Sequence, residues 1–519
     1  MHFIGIQLII SNYYIDNYYN HNRWCTPERV VYYFFLRIFR KTMIPVIKLS
    51  LAILIKKCII GPFQPCDEGT MNLPWNRFRY WLMAQVFSSH DLCGVTTLVG
   101  KHYEIISVIY RLLGAKIGAR VYWPGSGFDV LEHDLIEIGD DVVFGSRSIL
   151  MTRSSDGCKP IVINNNCMLA DRCVVLPGAV MERASVIGSG GLAKEDYVYP
   201  QGSVYVGSRA GNSVCVVHED ILRKSKRYDR SPFGLAFYDR KASFFVLPLV
   251  FIVFYNTIIQ VFCSVYHHIG PILSVFIIIA FRNKSIHVYE KYQPGACPAD
   301  QLLWGNALLF LFIIAIPVYM ALNVYSLIID IAAKWLIIGL RKQGKYPWNE
   351  SDYCQRWQLY LSIQEVKRGL LDLIRGSEYL NFYYRCLGCK MGKNVCLYPN
   401  GGDPMMTEPD MVSFGDDVSV DEASLIAHIN TRGIFSLNPL RVESGCVLKS
   451  NSRLLSGASM EANSVLLEHT LILLGETVEP STVWYHYHYY HHYYYYYYYH
   501  HYHHYYYHYH HYHQARMAM

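Results

Sequence analysis

The feature that most limits what this chain can become is a six-residue period between residues 138 and 191. Apolar side chains stand at Ile138 and Phe144 and, after a short insertion, at Ile163, Leu169, Val175, Met181 and Ile187. Four places after most of them comes a small or β-branched residue: Val142, Ser148, Cys167, Cys173, Ala179 and Ser185. A helix repeats near 3.6 residues and a strand near two, so neither produces this spacing. A period of six fits a hexapeptide parallel β-helix, in which each turn must stack on the next to cover its apolar edge.

The period returns near the C-terminus at Phe414, Val420, Val442, Leu448, Leu454, Met460 and Leu466, with Ser424, Cys446, Ser452, Ala458 and Ser464 as small followers. Local matches go further. Tyr110-Arg-Leu-Leu-Gly-Ala-Lys-Ile-Gly recurs as Tyr384-Arg-Cys-Leu-Gly-Cys-Lys-Met-Gly, Ile138-Gly-Asp-Asp-Val as Phe414-Gly-Asp-Asp-Val, and Gly178-Ala-Val-Met-Glu as Gly457-Ala-Ser-Met-Glu. The chain is an internal duplication. Gly178 and Gly457 are expected at tight corners.

Of the 519 residues 52% are hydrophobic and only 17% charged, which suggests a membrane protein. The net charge of +6 shows no clustered basic face with interleaved aromatics, so nucleic acid is not an expected partner. The 15 cysteines are scattered and several fall on small positions of the period, as expected of core packing in a reducing compartment. Cys386-Leu-Gly-Cys389 resembles half a zinc site, but its counterparts are Leu112 and Ala115, so packing is expected and no metal.

The expected fold class is mixed: two left-handed parallel β-helix lobes with helical lead-ins, plus transmembrane α-helices. Residues 1–74 read as an irregular leader whose apolar segment 43–62 carries Lys48, Lys56 and Lys57. Each central lysine costs about 2.5–3.5 kcal/mol on insertion scales, so this segment is expected to be interfacial or degenerate. Residues 75–216 hold a helical lead-in and the first lobe, with Phe78, Trp81 and Phe87 expected to pack on that lobe. Residues 217–241 form a basic linker, 242–340 a transmembrane region, 341–483 the second lead-in and lobe, and 484–519 a Tyr/His tail without a packed fold. Within the membrane region two apolar blocks, 242–281 and 303–340, each allow one tilted helix or a tight hairpin of two, with the break of the first block expected at residues 266–271. Basic residues flank both outer ends, at Arg223, Lys224, Lys226, Arg227, Arg230, Arg240 and Lys241 and again at Arg341, Lys342 and Lys345. Both lobes are therefore expected on the cytoplasmic side of a multi-pass protein. Asp330 and Lys334 lie four apart on one helix face, where a mutual ion pair is expected; the sharper reading is a polar pathway through the membrane.

Chemistry is expected in the loops that interrupt the coils, because the rigid stack aims them. The first loop, 152–159, has no histidine; the second, 427–436, begins Ala427-His-Ile-Asn, and the repeat sets His428 opposite Thr152. His428, with Asp421 and Glu422 near in sequence, is the candidate general base for an amine or hydroxyl attacking a thioester. His469, beside Glu468, is the weaker candidate because it falls within a coil.

With these motifs in hand, the chain resembles the membrane-bound terminal region of non-ribosomal peptide synthetases of the ε-poly-lysine synthetase type, from about residue 75 to 483. The stretches that carry the resemblance are Tyr122-Trp-Pro-Gly-Ser-Gly, Ile138-Gly-Asp-Asp-Val-Val-Phe-Gly-Ser-Arg147, Ala427-His-Ile-Asn-Thr-Arg-Gly433 and Leu454-Leu-Ser-Gly-Ala-Ser-Met-Glu461. The resemblance implies transmembrane helices joined to lobes similar to hexapeptide-repeat acyltransferases. It also implies aminoacyl groups arriving as thioesters on a carrier's phosphopantetheine arm, to be joined as amides. No bound cofactor is expected. Adenylation and carrier motifs do not precede the lobes here, so the partners expected are the lipid bilayer and an adenylation/carrier protein acting in trans. The rival expectations are a truncated pseudoenzyme or non-catalytic membrane scaffold, and a polymer exporter.

Overall fold

Each six-residue step becomes a strand of two or three residues whose last side chain points inward and whose neighbour faces out. Leu169, Val175, Met181 and Ile187 are fully buried in the first lobe, and Leu448, Leu454, Met460, Leu466 and Ile472 in the second. Each such side chain contributes about 1.5–3 kcal/mol on burial. The computed structural model describes residues 26–209, 212–217, 242–292, 299–367, 370–399, 405–431 and 433–485. The beginning of the leader, most of the basic linker and almost all of the Tyr/His tail lie outside the described residues.

Strand pairing is parallel, and partners lie 18 residues apart: Met168 with Val186, Val174 with Leu192 and Val180 with Val198, then Val447 with Val465, Arg453 with Leu471 and Ser459 with Thr477. Eighteen residues are three hexapeptides, so each turn has three faces and each lobe is a stack of parallel ladders of the β-helix kind. The small positions sit inside the turns. Cys167, Cys173 and Cys446 are buried there and give their thiols to the carbonyls of Glu182, Gly188 and Glu461 at 3.0, 3.1 and 3.1 Å. Gly178 and Gly457 have φ of +75° and +81°, the left-handed corner that a Cβ disfavours. At Gly178 an added Cβ would also lie 2.1 Å from Asp196 Oδ1.

Both insertions are β-hairpins completed by a third strand from the lead-in. Arg153–Ser154 and Gly157–Cys158 take Cys66–Asp67, while His428–Thr431 and Ile434–Leu437 take Gly344–Pro347. The first lead-in contains α1 (Thr26–Ile55), α2 (Pro74–Val86), α3 (Ser89–Val99) and α4 (Tyr103–Leu112). Pro74 opens α2, where a missing N–H is harmless, and Ser88 and Asp91 form a capping box for α3. After α5 (Leu249–Tyr292) and α6 (Ala299–Ala333) the second lead-in supplies α7 (Tyr353–Ile363), α8 (Leu370–Ile374) and α9 (Glu378–Cys386). The chain divides into two compact units, Met1–Ile47 with Thr257–Leu322, and Lys48–Asn256 with Asn323–Met519.

Four expectations are corrected or, where two forms were left open, decided. Residues 26–42 are helical and not irregular, and Thr26-Pro27-Glu28 carries the start signature of that helix. Phe78 and Trp81 face outward, whereas Phe87 is buried. Of the two forms left open for the apolar blocks each takes the single helix, α5 running unbroken through residues 266–271 and α6 through Ala299–Ala333. Two stretches are long and apolar enough to cross a membrane, Leu249–Gly270 and Ile316–Ile338. Within the first unit α5 and α6 run antiparallel, with Tyr266 donating to the Leu322 carbonyl at 2.5 Å and a Cβ at Gly270 placed 3.2 Å from Leu322 Cδ1.

The fourth correction concerns the charges. Asp330 and Lys334 do not pair with each other: Tyr383 donates its hydroxyl to Asp330, and Lys334 Nζ lies 3.1 Å from Asp410 Oδ2, within ion-pair reach though off the hydrogen-bond line. Asp410 also accepts the Arg341 N–H at 2.9 Å and its guanidinium at 2.7 Å. The first copy repeats this device. Lys56 Nζ meets Asp134 Oδ2 at 2.5 Å, and the same oxygen accepts the Phe63 N–H at 2.9 Å. In both copies the lysine opens a π-helical turn, Lys56–Ile60 or Lys334–Ile338, ended by a glycine at φ +70°. The segment read as degenerate is thus the counterpart of the second apolar helix end, and the duplication reaches back into the helices.

Removing Asp410 would strand two buried cations, which typically costs about 3–5 kcal/mol. Asp410→Ala is therefore expected to lower the thermal unfolding midpoint of the detergent-purified chain far more than Glu422→Ala, a change at an exposed side chain. Equal midpoints for the two variants would contradict the clamp.

Candidate functional site

The second lobe's hairpin begins at His428, opposite Leu437. Three elements converge on its ring. Phe435, on the return strand, stacks on it at 4.9 Å with planes 12° apart, and Trp357 of α7 meets it edge-on at 5.2 Å. The third is the segment ahead of the strand Val412–Phe414, where Glu408 precedes a short turn opened by Pro409. Its carboxylate Oε1 lies 2.9 Å from His428 Nδ1 and accepts the Trp357 indole N–H at 3.2 Å, while Oε2 accepts the Thr407 hydroxyl at 2.6 Å. The Glu408 side chain is completely buried and that of His428 is 16% exposed.

Burial alone would raise the Glu408 carboxyl, but His428, the nearby Arg341 and the Thr407 hydroxyl outweigh it and hold the pKa at about 2. An ionised carboxylate only accepts, so Nδ1 is the nitrogen that carries the proton. Nε2 is the ring nitrogen that this contact leaves uncommitted. This carboxylate–imidazole order is the one that prepares histidine for proton transfer.

Asp421 and Glu422, the neighbours by sequence, are not the partners of His428. Asp421 accepts the Ser450 hydroxyl at 2.8 Å and Glu422 is exposed. Glu408 lies 20 residues upstream and was missed, although the duplication carried a signal for it. Leu131-Glu-His-Asp134 and Thr407-Glu-Pro-Asp410 share the pattern Glu-x-Asp, and Glu132 stands as far before Thr152 as Glu408 does before His428. In the first lobe Glu132 accepts the Thr152 hydroxyl at 2.8 Å and pairs with Arg153, whose guanidinium lies over the Tyr80 ring. The same acid there holds a hydroxyl and a cation, and no base.

His469 sits at a coil corner with φ +61°, its N–H bonded to the Ser450 carbonyl at 3.1 Å, while Glu468 is exposed. It is not part of the Glu408–His428 pair.

The hairpin also meets the first lobe. Asn430 accepts the Trp348 indole N–H at 3.0 Å, and Tyr122 of the first lobe lies edge-on to Trp348 at 6.5 Å. Further along this boundary Arg172 donates to the Asn451 carbonyl at 2.6 Å, Arg147 reaches the Met405 sulfur at 3.6 Å, and buried Arg453 lies 2.9 Å from buried Asp171. That last pair is at ion-pair distance but poorly aligned for a hydrogen bond. Burial raises the Asp171 carboxyl against the pull of Arg453, Arg172, Arg147 and His428, and it lowers Arg453 to about 10. Arg453 is thus the guanidinium at contact distance from Asp171, and Arg172, Arg147 and His428 act on that carboxylate through their charge.

No family profile matches the chain. Over 153 residues it is 28% identical to a delta-poly-L-ornithine synthetase of Acinetobacter baumannii, a match that covers 29% of this chain and 11% of that protein. The chain thus spans about a tenth of the curated relative it matches. Among solved structures it is similar to a hexapeptide-repeat-containing acetyltransferase from Vibrio cholerae, with 15% identity and a TM-score of 0.22 over 27% of this chain and 91% of that one.

The depressed Glu408 pKa has a consequence for stability. A carboxyl held at about 2 against an ordinary 4.5 stabilises the fold above pH 4.5, and that contribution is lost as the pH falls toward 2. The difference in unfolding midpoint between the native chain and Glu408→Gln is expected to be largest above pH 4.5 and to shrink steadily below it. A difference independent of pH would contradict the ionised pairing.

Proposed function

We propose that the chain is a membrane-bound acyl or aminoacyl transferase, related to the amide-forming terminal region of non-ribosomal peptide synthetases, and that His428 is its general base. The observation that carries the proposal is the buried Glu408 carboxylate on Nδ1 of a partly exposed histidine, at the boundary between two hexapeptide-repeat lobes. The similarity to a polyornithine synthetase, though partial, points the same way.

In the proposed reaction an amine or hydroxyl attacks a thioester carbonyl. His428 Nε2 takes the nucleophile's proton as the new C–N or C–O bond forms. The tetrahedral intermediate then breaks its C–S bond, and the proton passes from Nε2 to the departing thiolate. Glu408 is a positioning residue: it fixes the tautomer and steadies the charged ring. Backbone N–H groups of the second lobe's hairpin are the proposed oxyanion donors. Arg147, exposed at this boundary, suits an anionic substrate handle such as the phosphodiester of a carrier-bound phosphopantetheine arm. A carrier acting in trans is the proposed partner.

Two single membrane helices make an even number of crossings, so the proposed topology keeps both lobes on one side, the cytoplasmic side by their basic flanks. The export reading loses its support, because Asp330 and Lys334 are held by Tyr383 and Asp410 at the helix end. The non-catalytic reading is favoured for the first lobe alone, where Thr152 and Arg153 occupy Glu132.

The test is transfer from an aminoacyl-pantetheine thioester to a free amine by the purified full chain, followed by mass spectrometry of the products. His428→Ala is expected to lower turnover by about 10²–10⁴-fold. Glu408→Gln should also lose turnover with little change in KM, while His469→Ala retains it. Unchanged turnover in a folded His428→Ala variant would remove the assignment.

A further inference from the structure

Helix α2 has two apolar faces. Tyr80 and Met83 are buried, with Tyr80 stacked on Phe63 at 4.8 Å. On the other side Trp75 and Trp81 are 58% and 59% exposed, and Phe78 lies between them at ring separations of 5.6 and 6.0 Å. Three large rings left side by side in water form a contiguous apolar patch, the kind of feature that marks an interaction surface. Arg77 is exposed on the same helix.

Helix α9, in the second copy, also leaves apolar side chains outward. Leu380, Tyr383 and Tyr384 are buried, while Tyr379 and Phe382 are 75% and 66% exposed. The matching places on α4, set by the Tyr110 and Tyr384 register, are Val108 for Phe382 and Leu112 for Cys386, and both Val108 and Leu112 are exposed. The duplication has kept an outward apolar stripe on a helix that needs only one apolar face to fold.

What covers these stripes is indicated by what they adjoin. The Trp335 indole N–H donates to the Cys386 carbonyl at 2.9 Å, and Tyr383 donates to Asp330, so α9 is fastened to the end of the span Ile316–Ile338. Trp335 and Leu336 of that span are themselves exposed. In the first copy Arg79 of α2 donates to the carbonyls of Ile60 and Pro62, at the end of the matching helix, at 2.6 and 2.5 Å. Aromatic side chains next to the mouth of a spanning helix, with arginine beside them, fit the headgroup layer of a bilayer.

We infer that the outward faces of α2, α4 and α9 lie in the lipid headgroup layer, so that the lobe bases rest on the membrane surface as well as hanging from the helices. The inference depends on the membrane-bound reading above. Its partner is a lipid surface and not a second copy of the chain.

The experiment places a photoreactive benzoylphenylalanine at Phe78, Trp81, Tyr379 or Phe382 of the full chain, reconstituted in vesicles of phosphatidylcholine and phosphatidylglycerol. The control position is Glu479, exposed in the last turn of the second lobe and about 19 Å up the stack from α9, counting four ladder steps of about 4.8 Å. Irradiation is expected to yield lipid adducts at the four positions at least about tenfold above position 479. If the protein floats with the vesicles but gives no lipid adducts there, or gives crosslinked dimers instead, the headgroup seating is overturned and the membrane-bound reading stands. If it does not float, both fall together.

Discussion

A turn of three two-residue strands has no interior until another turn covers it. That constraint governs the rest of the molecule. Leu169 lies beneath Ile187 and Leu448 beneath Leu466, each in register with the residue 18 places on, and neither lobe can lose a turn without exposing the one below. The result is a stiff prism whose corners tolerate little change and whose interruptions are held in place by ladders on both sides. Any side chain mounted on such an interruption inherits that positioning.

The duplication shows how one scaffold separates two roles. Both copies keep a buried glutamate ahead of the first long strand and an aspartate two residues later. The aspartate clamps a lysine at the end of an apolar helix in each copy, Lys56 on Asp134 and Lys334 on Asp410. The glutamate diverges in use: Glu132 is neutralised by Arg153 and Thr152, while Glu408 faces His428. The same buried acid thus meets a hydroxyl and a guanidinium in one copy and an imidazole in the other. Tyr122, Arg147, Asp171 and Arg172 of the first lobe meet the second lobe along the boundary beside its hairpin.

The repeat fold was legible because its period is set by geometry that every turn must satisfy, so Ile163, Leu169 and Val175 announce it without any neighbour being known. His428 was legible as a candidate for a related reason: it lies in a loop that interrupts a regular pattern, where the first copy has Thr152. Its partner was not, because side-chain contact depends on where the segment before Val412 is laid across the coil. Asp421 and Glu422 are closer along the chain, yet one bonds Ser450 and the other points to solvent. The pairing expected between Asp330 and Lys334 failed in the same way. Four-residue spacing permits an ion pair on an isolated helix, but Tyr383 and Asp410 reach those side chains once α9 and the second lobe dock.

The sequence by itself determined the two stacked lobes, their kinship, the hydrophobic helices and the histidine, since each rests on periodicity or on comparison of the chain with itself. Only the tertiary structure decided which acid orients His428, which carboxylates hold the lysines, and that the stripe of Trp75, Phe78 and Trp81 faces outward. Those outcomes depend on three-dimensional proximity and on which face of an element its neighbours leave uncovered, and no local spacing rule encodes either.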